Sequence, residues 1–378
     1  MADAHAWLAP SSADIWGAPD GCPAYPRMAA LYPGEGDTPE SREGTAAHEY
    51  VSRMLFGGDD QPRAGDLAAN GHPITDEMVE CAEALLADVA TWRFSCTGMF
   101  VVEQRLTMPE IHPTLNWGKT DIGGADLANK ILYIRDYKCG HRYVDAWENW
   151  QLIDYGVGLF RHFGIPQSQW HEWTINAGIF QPRCYHPEGP RKIWVCSGAR
   201  FLELADSLAY SARKATEPDA PMHTGEHCRD CSARYDCPAL IAVMGSCVDL
   251  SLRGVPQVLT PQKAGLVRRH ITDAIQRLEA LQSGVDAQIA AFIRGGKQVP
   301  GIELKAGDGR EFWTVPVEEV AALGALYGKE IVKPKPITPK QARDLGIDEA
   351  VISAYSDRRK GELKVTSVDD NRAAKAFK

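Results

Sequence analysis

Long apolar runs are missing from this 378-residue chain: no stretch approaches the roughly 20 residues that a bilayer-spanning helix needs. A membrane partner is therefore not expected. The opening Met1-Ala2-Asp3-Ala4-His5 lacks the basic segment and apolar run of a secretory signal, so the expected location is the cytoplasm. Excess positive charge is missing too. With a formal charge of -9, the chain is not one that coats nucleic acid by bulk attraction, although a local basic channel stays open to it. Repeats and low-complexity tracts are absent. What remains has ordinary apolar, aromatic and charged fractions, and a length sufficient for two or three domains of roughly 100 to 200 residues.

The order of elements predicts an α/β fold around a central mixed sheet. A helix is expected from about Ser41, as N-cap, to Leu55, and a second over Thr75 to Arg93, where Met78, Ala82, Leu85 and Val89 recur at helical spacing. Strand formers then fill 100–106, and 120–127 with 131–138 read as a hairpin across Asn129-Lys130. Asp145 with Glu148 three residues on predicts the start of a helix over 146–162. Strands at 172–181 and 192–196, a helix over 199–215 and a long helix from Thr260 follow. The expected boundary lies at 253/254, with a C-terminal α+β accessory region beyond it.

The strand ending Arg135-Asp136-Tyr137-Lys138 alternates its side chains, which puts Asp136 and Lys138 on one face. Asp121 lies on the preceding strand of the same hairpin, so antiparallel pairing brings a second carboxylate toward Asp136. Two such oxygens suit a hard cation, Mg²⁺ or Mn²⁺. Hydrolysis of a phosphodiester needs a metal, an activated water and compensation of developing charge. Lys138 can orient the water or stabilise the hydroxide, the backbone carbonyl of Tyr137 offers a further ligand, and Glu103 on the neighbouring strand is a secondary candidate for a second metal or an outer contact.

Ten cysteines in a long chain without a secretory signal point to reduced thiols. Cys81, Cys96, Cys184 and Cys196 are isolated and read as small buried residues. By contrast Cys228-Arg-Asp-Cys231-Ser-Ala-Arg-Tyr-Asp-Cys237 gathers three thiols in a tight turn, as a metal cluster requires. The fourth ligand is open on spacing alone. Cys247 is one choice, and zinc would also accept His223 or His227.

Taken together, Gly118-Lys-Thr-Asp121, Asp136-Tyr-Lys138 and Gln151-Leu-Ile-Asp-Tyr155 resemble the PD-(D/E)XK nuclease superfamily, specifically its RecB-like branch, which includes AddB-type helicase-nucleases and the exonucleases of CRISPR adaptation. The resemblance implies a restriction-endonuclease-like core over residues 1–253. It implies catalytic roles for Asp121, Asp136, Lys138, Gln151 and Tyr155, with Trp147 on the same helix face. It makes His48, in Gly44-Thr45-Ala46-Ala47-His48, a metal ligand with Asp121, Asp136 and Tyr137. It also supplies the fourth thiol, Cys22, so that Cys22, Cys228, Cys231 and Cys237 hold a 4Fe-4S cluster in a helical subdomain, zinc being the alternative. The whole chain is similar to a phage-encoded family of such nucleases. The function implied is a DNA exonuclease of recombination or replication in the bacterial host cytoplasm, beside a single-strand binding or annealing protein. Two other functions compete: a non-catalytic DNA-binding scaffold on the same fold, and a zinc-stabilised RNA-processing module. The basic run Arg358-Arg359-Lys360 is either a set of phosphate contacts or a solvated face.

Overall fold

The computed structural model describes residues 6–33, 38–57, 61–184, 189–253, 260–333 and 335–367. Contacts divide the chain into two compact units, Met1–Gly284 and Val285–Lys378. The division falls inside the long helix rather than at the expected 253/254, because the first part of that helix supplies Ala280 and Leu281 to the same apolar cluster as Cys228 and Leu240.

In the first unit, α1 (Ala13–Trp16) and α2 (Tyr25–Leu31) precede α3 (Pro39–Phe56) and α4 (Asp76–Trp92). Strands β1 (Phe100–Thr107), β2 (Trp117–Asp126) and β3 (Ile131–Tyr137) follow, then α5 (Trp150–His162), β4 (Thr174–Phe180), β5 (Arg191–Ser197), α6 (Gly198–Ala215), α7 (Pro238–Arg253) and α8 (Pro261–Arg294). The five strands form one mixed sheet in sequence order. All neighbours are antiparallel except β3 and β4, which α5 joins as a crossover.

Apolar residues on the sheet's two faces sort into two clusters. Leu132, Ile134, Ile175, Ala177 and Ile179 pack with Leu152, Leu159 and Phe160 of α5 and Phe201 and Leu208 of α6. Val102, Ile122, Tyr137 and Phe180 pack with Tyr50 and Val51 of α3 and Met78, Leu85 and Val89 of α4. The result is a three-layer α/β arrangement. Close approach explains one glycine: a Cβ on Gly123 would meet the Leu159 side chain of α5 at 2.4 Å, so that side chain would have to shift from its place against β2.

Three local expectations change. The cap of α3 is Thr38, whose hydroxyl accepts the Ser41 N–H, so the helix starts earlier than Ser41 itself. Residues 167–172 form a 3-10 turn, and β4 begins only at Thr174. The largest change is at α5. Asn149, not Asp145, caps it by accepting the Leu152 N–H, and Trp147 stays outside the helix on a loop, so it does not share a helical face with Gln151 and Tyr155.

The second unit pairs β6 (Ile302–Trp313) with β9 (Ser356–Ser367). Between them come α9 (Val317–Leu326), the short β7 (Val332–Lys333) and β8 (Lys335–Pro336), α10 (Pro339–Asp344) and α11 (Glu349–Tyr355), around a core of Val320, Ile331, Ala342, Ile347 and Ile352. The run 358–360 belongs to β9, and its side chains lie outside those described.

Candidate metal centre and thiol pocket

The hairpin expected from the sequence sets the first contacts. Antiparallel pairing of β2 with β3 ends at Ile122 and Arg135, and beyond that point the Asp121 carboxylate takes over, accepting the Tyr137 N–H at 2.7 Å. Glu103 stands in register opposite Asp121, between the Val102–Ile122 and Gln104–Thr120 pairs, and its backbone is left-handed at φ 50°. Such a conformation in a non-glycine residue costs about 1–2 kcal/mol. Here it interrupts the ladder where β1 passes Asp121.

From α3, His48 reaches the same place. Its Nδ1 lies 3.4 Å from Asp121 Oδ1 and 3.5 Å from Glu103 Oε1. Ligand atoms of these three side chains all fall within 4.8 Å of one another, the only such group of three among the described residues. Burial pushes the His48 imidazole down, but Asp121 and Glu103 outweigh it and raise its pKa to about 10. A cation would take the place of that proton, because an imidazole ligates only when neutral.

Asp136 lies in the second half of the cluster. Its Oδ1 accepts from Gln151 Nε2 at 3.0 Å, and its Oδ2 is 3.0 Å from Lys138 Nζ without hydrogen-bond alignment. Lys138 donates to Gln151 Oε1 at 2.8 Å, and Gln151 Nε2 lies 3.5 Å from the Tyr155 hydroxyl. The expected set Asp121, Asp136, Lys138, Gln151 and Tyr155 is thus brought together. The two acids are tuned apart. Burial raises both, but His48 and the Tyr137 N–H hold Asp121 below its ordinary value. Asp136 stays above its own, since burial and the Asp121 charge together exceed the pull of Lys138. Buried beside both acids, the Tyr155 phenol is pushed well up.

Of the two roles expected for Glu103 and Asp136, the nearer position to His48 falls to Glu103. Lys119 also pairs with Glu103, at 2.5 Å. Three further polar residues shape the site and were not foreseen. Gln181, buried at the end of β4, accepts from Val144 N and Lys192 Nζ and donates to the carbonyls of Gly140 and Arg142, which fixes the loop after Lys138. A polar side chain closing an otherwise apolar strand was the available signal. Asn116 joins Asp154 of α5 to the Leu8 carbonyl, and burial raises Asp154 to about 8.

The second constellation lies around a closed pocket. Cys22, Cys228, Cys231 and Cys237 line it with Ile15 and Met28. Cys22 is held by its N–H to the Ile15 carbonyl, and Ala24 N bonds Pro221 O, so the N-terminal arm is fastened to the segment leading into the thiol turn. Burial raises the thiols of Cys22, Cys228 and Cys231, Cys231 to about 11. None of the described cysteines is disulfide-bonded. His223 and His227 each turn one ring nitrogen to a backbone carbonyl. The Cys247 side chain lies outside those described.

The fold and these two side-chain clusters define a three-layer α/β protein with a His-Glu-Asp constellation suited to a metal ion. The chain belongs to the family described as a protein of unknown function, DUF2800, which it matches over residues 5–373. No curated protein matches it. No described helix is long and apolar enough to cross a membrane.

Proposed function

We propose that this chain is a metal-dependent nuclease that hydrolyses DNA phosphodiester bonds, built on a PD-(D/E)XK core of the RecB-like kind. The observation carrying the reading is the convergence of His48, Glu103 and Asp121 beside the Asp136–Lys138–Gln151 cluster. One imidazole with carboxylates suits Mn²⁺ or Mg²⁺, and the poorly aligned Oδ2 of Asp136 offers an additional donor, to which the family resemblance adds the Tyr137 carbonyl. A cation held there supplies polarisation of a phosphoryl oxygen and acidification of a bound water.

The chain's own groups do the remainder. Lys138, held by Gln151, presents an ammonium that orients the attacking water and offsets charge developing on the phosphate. Gln151 bridges Asp136 and Lys138, so the acid and the cation cannot drift apart. Tyr155 closes the apolar side of the cluster. DNA is the partner, acting from an end, alongside a single-strand binding or annealing protein in recombination or replication.

For the thiol pocket the proposed occupant is a 4Fe-4S cluster ligated by Cys22, Cys228, Cys231 and Cys237. Four thiolates suit either an iron-sulfur cluster or zinc, and iron-sulfur is put first on the resemblance. Its role is structural, closing the N-terminal arm onto the thiol turn.

Calorimetric titration with Mn²⁺ tests the metal assignment. The full-length protein is expected to bind the ion, and Asp121→Ala to lose that binding while keeping its circular dichroism. Unchanged Mn²⁺ affinity in the folded variant would remove the basis of the reading.

A further inference from the structure

Between β3 and α5 the chain forms an open groove of about 490 Å³, lined by Arg142, Tyr143, Trp147 and Trp150 among others. The groove adjoins the candidate site directly. Trp150 precedes Gln151, which holds Asp136 and Lys138, and Asp14, which also lines the groove, lies within electrostatic reach of Lys138.

The groove's backbone is fixed. Gln181 binds three points of the loop, His141 Nδ1 pairs with the Arg183 carbonyl at 3.0 Å, and the Trp147 N–H donates to Asp145 at 3.0 Å. Its charged side chains are largely engaged with neighbours. Arg142 pairs with Asp230, Glu148 with Arg200, and the carboxylates of Asp14 and Asp145 accept the backbone N–H groups of Trp150 and Trp147, while the Lys192 ammonium, from outside the lining, lies 4.5 Å over the Tyr143 ring. What the groove offers a ligand is therefore aromatic surface, above all Trp147, which is 65% exposed. A large indole held open on a fixed loop, beside a cluster suited to phosphodiester chemistry, needs a flat apolar partner. An unpaired nucleobase is such a partner, whereas in a duplex every base face except the outer faces of the two terminal pairs is already stacked on a neighbour. Base–aromatic stacking also tolerates any sequence.

We infer that this groove stacks unpaired bases on Trp147 and its aromatic neighbours, so that the strand delivered to the site is a single-stranded end. The inference rests on the nuclease reading for its purpose, but not for its test. Anisotropy of labelled oligo-dT, an abasic oligomer of equal length and a blunt duplex is measured with the full-length protein in chelator, where nothing is cleaved. Stacking is worth about 1–3 kcal/mol per base, so Trp147→Ala should weaken oligo-dT binding about tenfold or more. The same variant should leave the weaker binding of the abasic strand unchanged, and Trp147→Phe should retain most of the affinity. Equal affinity of Trp147→Ala and wild type for oligo-dT overturns the inference. So does an equal loss on the abasic strand, or a duplex bound as tightly as oligo-dT. Cleavage of the same oligo-dT with Mn²⁺ is scored separately: its absence, with stacking intact, removes the nuclease reading and leaves the groove.

Discussion

Glu103 shows how a single residue can carry opposing demands. Its left-handed backbone interrupts the ladder opposite Asp121, and its carboxylate completes the group with His48. Strain of this kind persists where surrounding structure imposes it and is often found at functional sites. Replacing Glu103 with glycine relieves the backbone cost of about 1–2 kcal/mol. The expected outcome is a melting temperature that holds or rises while Mn²⁺ affinity falls, measured by thermal unfolding and calorimetry on the same sample. A lower melting temperature would show that the carboxylate serves the fold instead. The residues of the site were partly legible beforehand. Asp136 and Lys138 could be placed on one face because strand alternation is local, and Asp121 because the hairpin is short. The proximity of Glu103 to His48 was not legible, since it depends on a left-handed residue inside β1 and on how α3 lies against the sheet.

Helix α5 and strand β3 each carry a buried polar group whose fate can be measured. In α5, Asp154 is fully buried and its pKa is raised to about 8. The unfolded chain ionises this group near its ordinary value of 3.8 while the folded chain keeps it protonated. Its contribution to stability is therefore full below 3.8 and is lost as pH rises toward 8. Asp154→Asn should stabilise the protein more at pH 8 than at pH 5, by urea unfolding at the two values. An equal change at both would mean that Asp154 is not protonated in the fold. In β3, Arg135 donates to Asp88 of α4 at 2.6 Å in a buried pair that also takes Arg191. Asp88→Ala leaves a buried guanidinium uncompensated and should cost about 3–5 kcal/mol. Arg135→Met should cost clearly less, because it removes the charge along with its partner. The start of α5 explains why element ends resist sequence reading. Asp145-x-x-Glu148 has the spacing of a cap, but Asn149 forms the real one, and Glu148 instead adopts φ 47° and pairs with Arg200 from α6. That choice depends on a residue 52 positions away, which no local pattern contains.

At the scale of the whole chain, the first unit is closed by side chains far apart in sequence. Cys22 meets the 228–237 turn, and Tyr32 donates to Asp236 at 2.8 Å. If a 4Fe-4S cluster occupies the thiol pocket, protein purified without oxygen is brown and contains iron and acid-labile sulfide. Cys231→Ser should then lose both and melt at a lower temperature. A colourless protein with stoichiometric zinc would contradict that occupant. The coarse architecture was readable because the alternation of helical and strand periods survives without tertiary information. The boundary between units was not, because the long helix gives Ala280 and Leu281 to the thiol-side cluster, a packing event that composition does not record.

The most direct measurement of the central claim is digestion of end-labelled single- and double-stranded DNA by the full-length protein with Mg²⁺ or Mn²⁺, set beside Asp136→Ala. The account predicts metal-dependent shortening from an end by the wild type and none by the variant, with both proteins equally folded. Cleavage that persists in folded Asp136→Ala, or no cleavage of any DNA by the metal-loaded wild type, would contradict it.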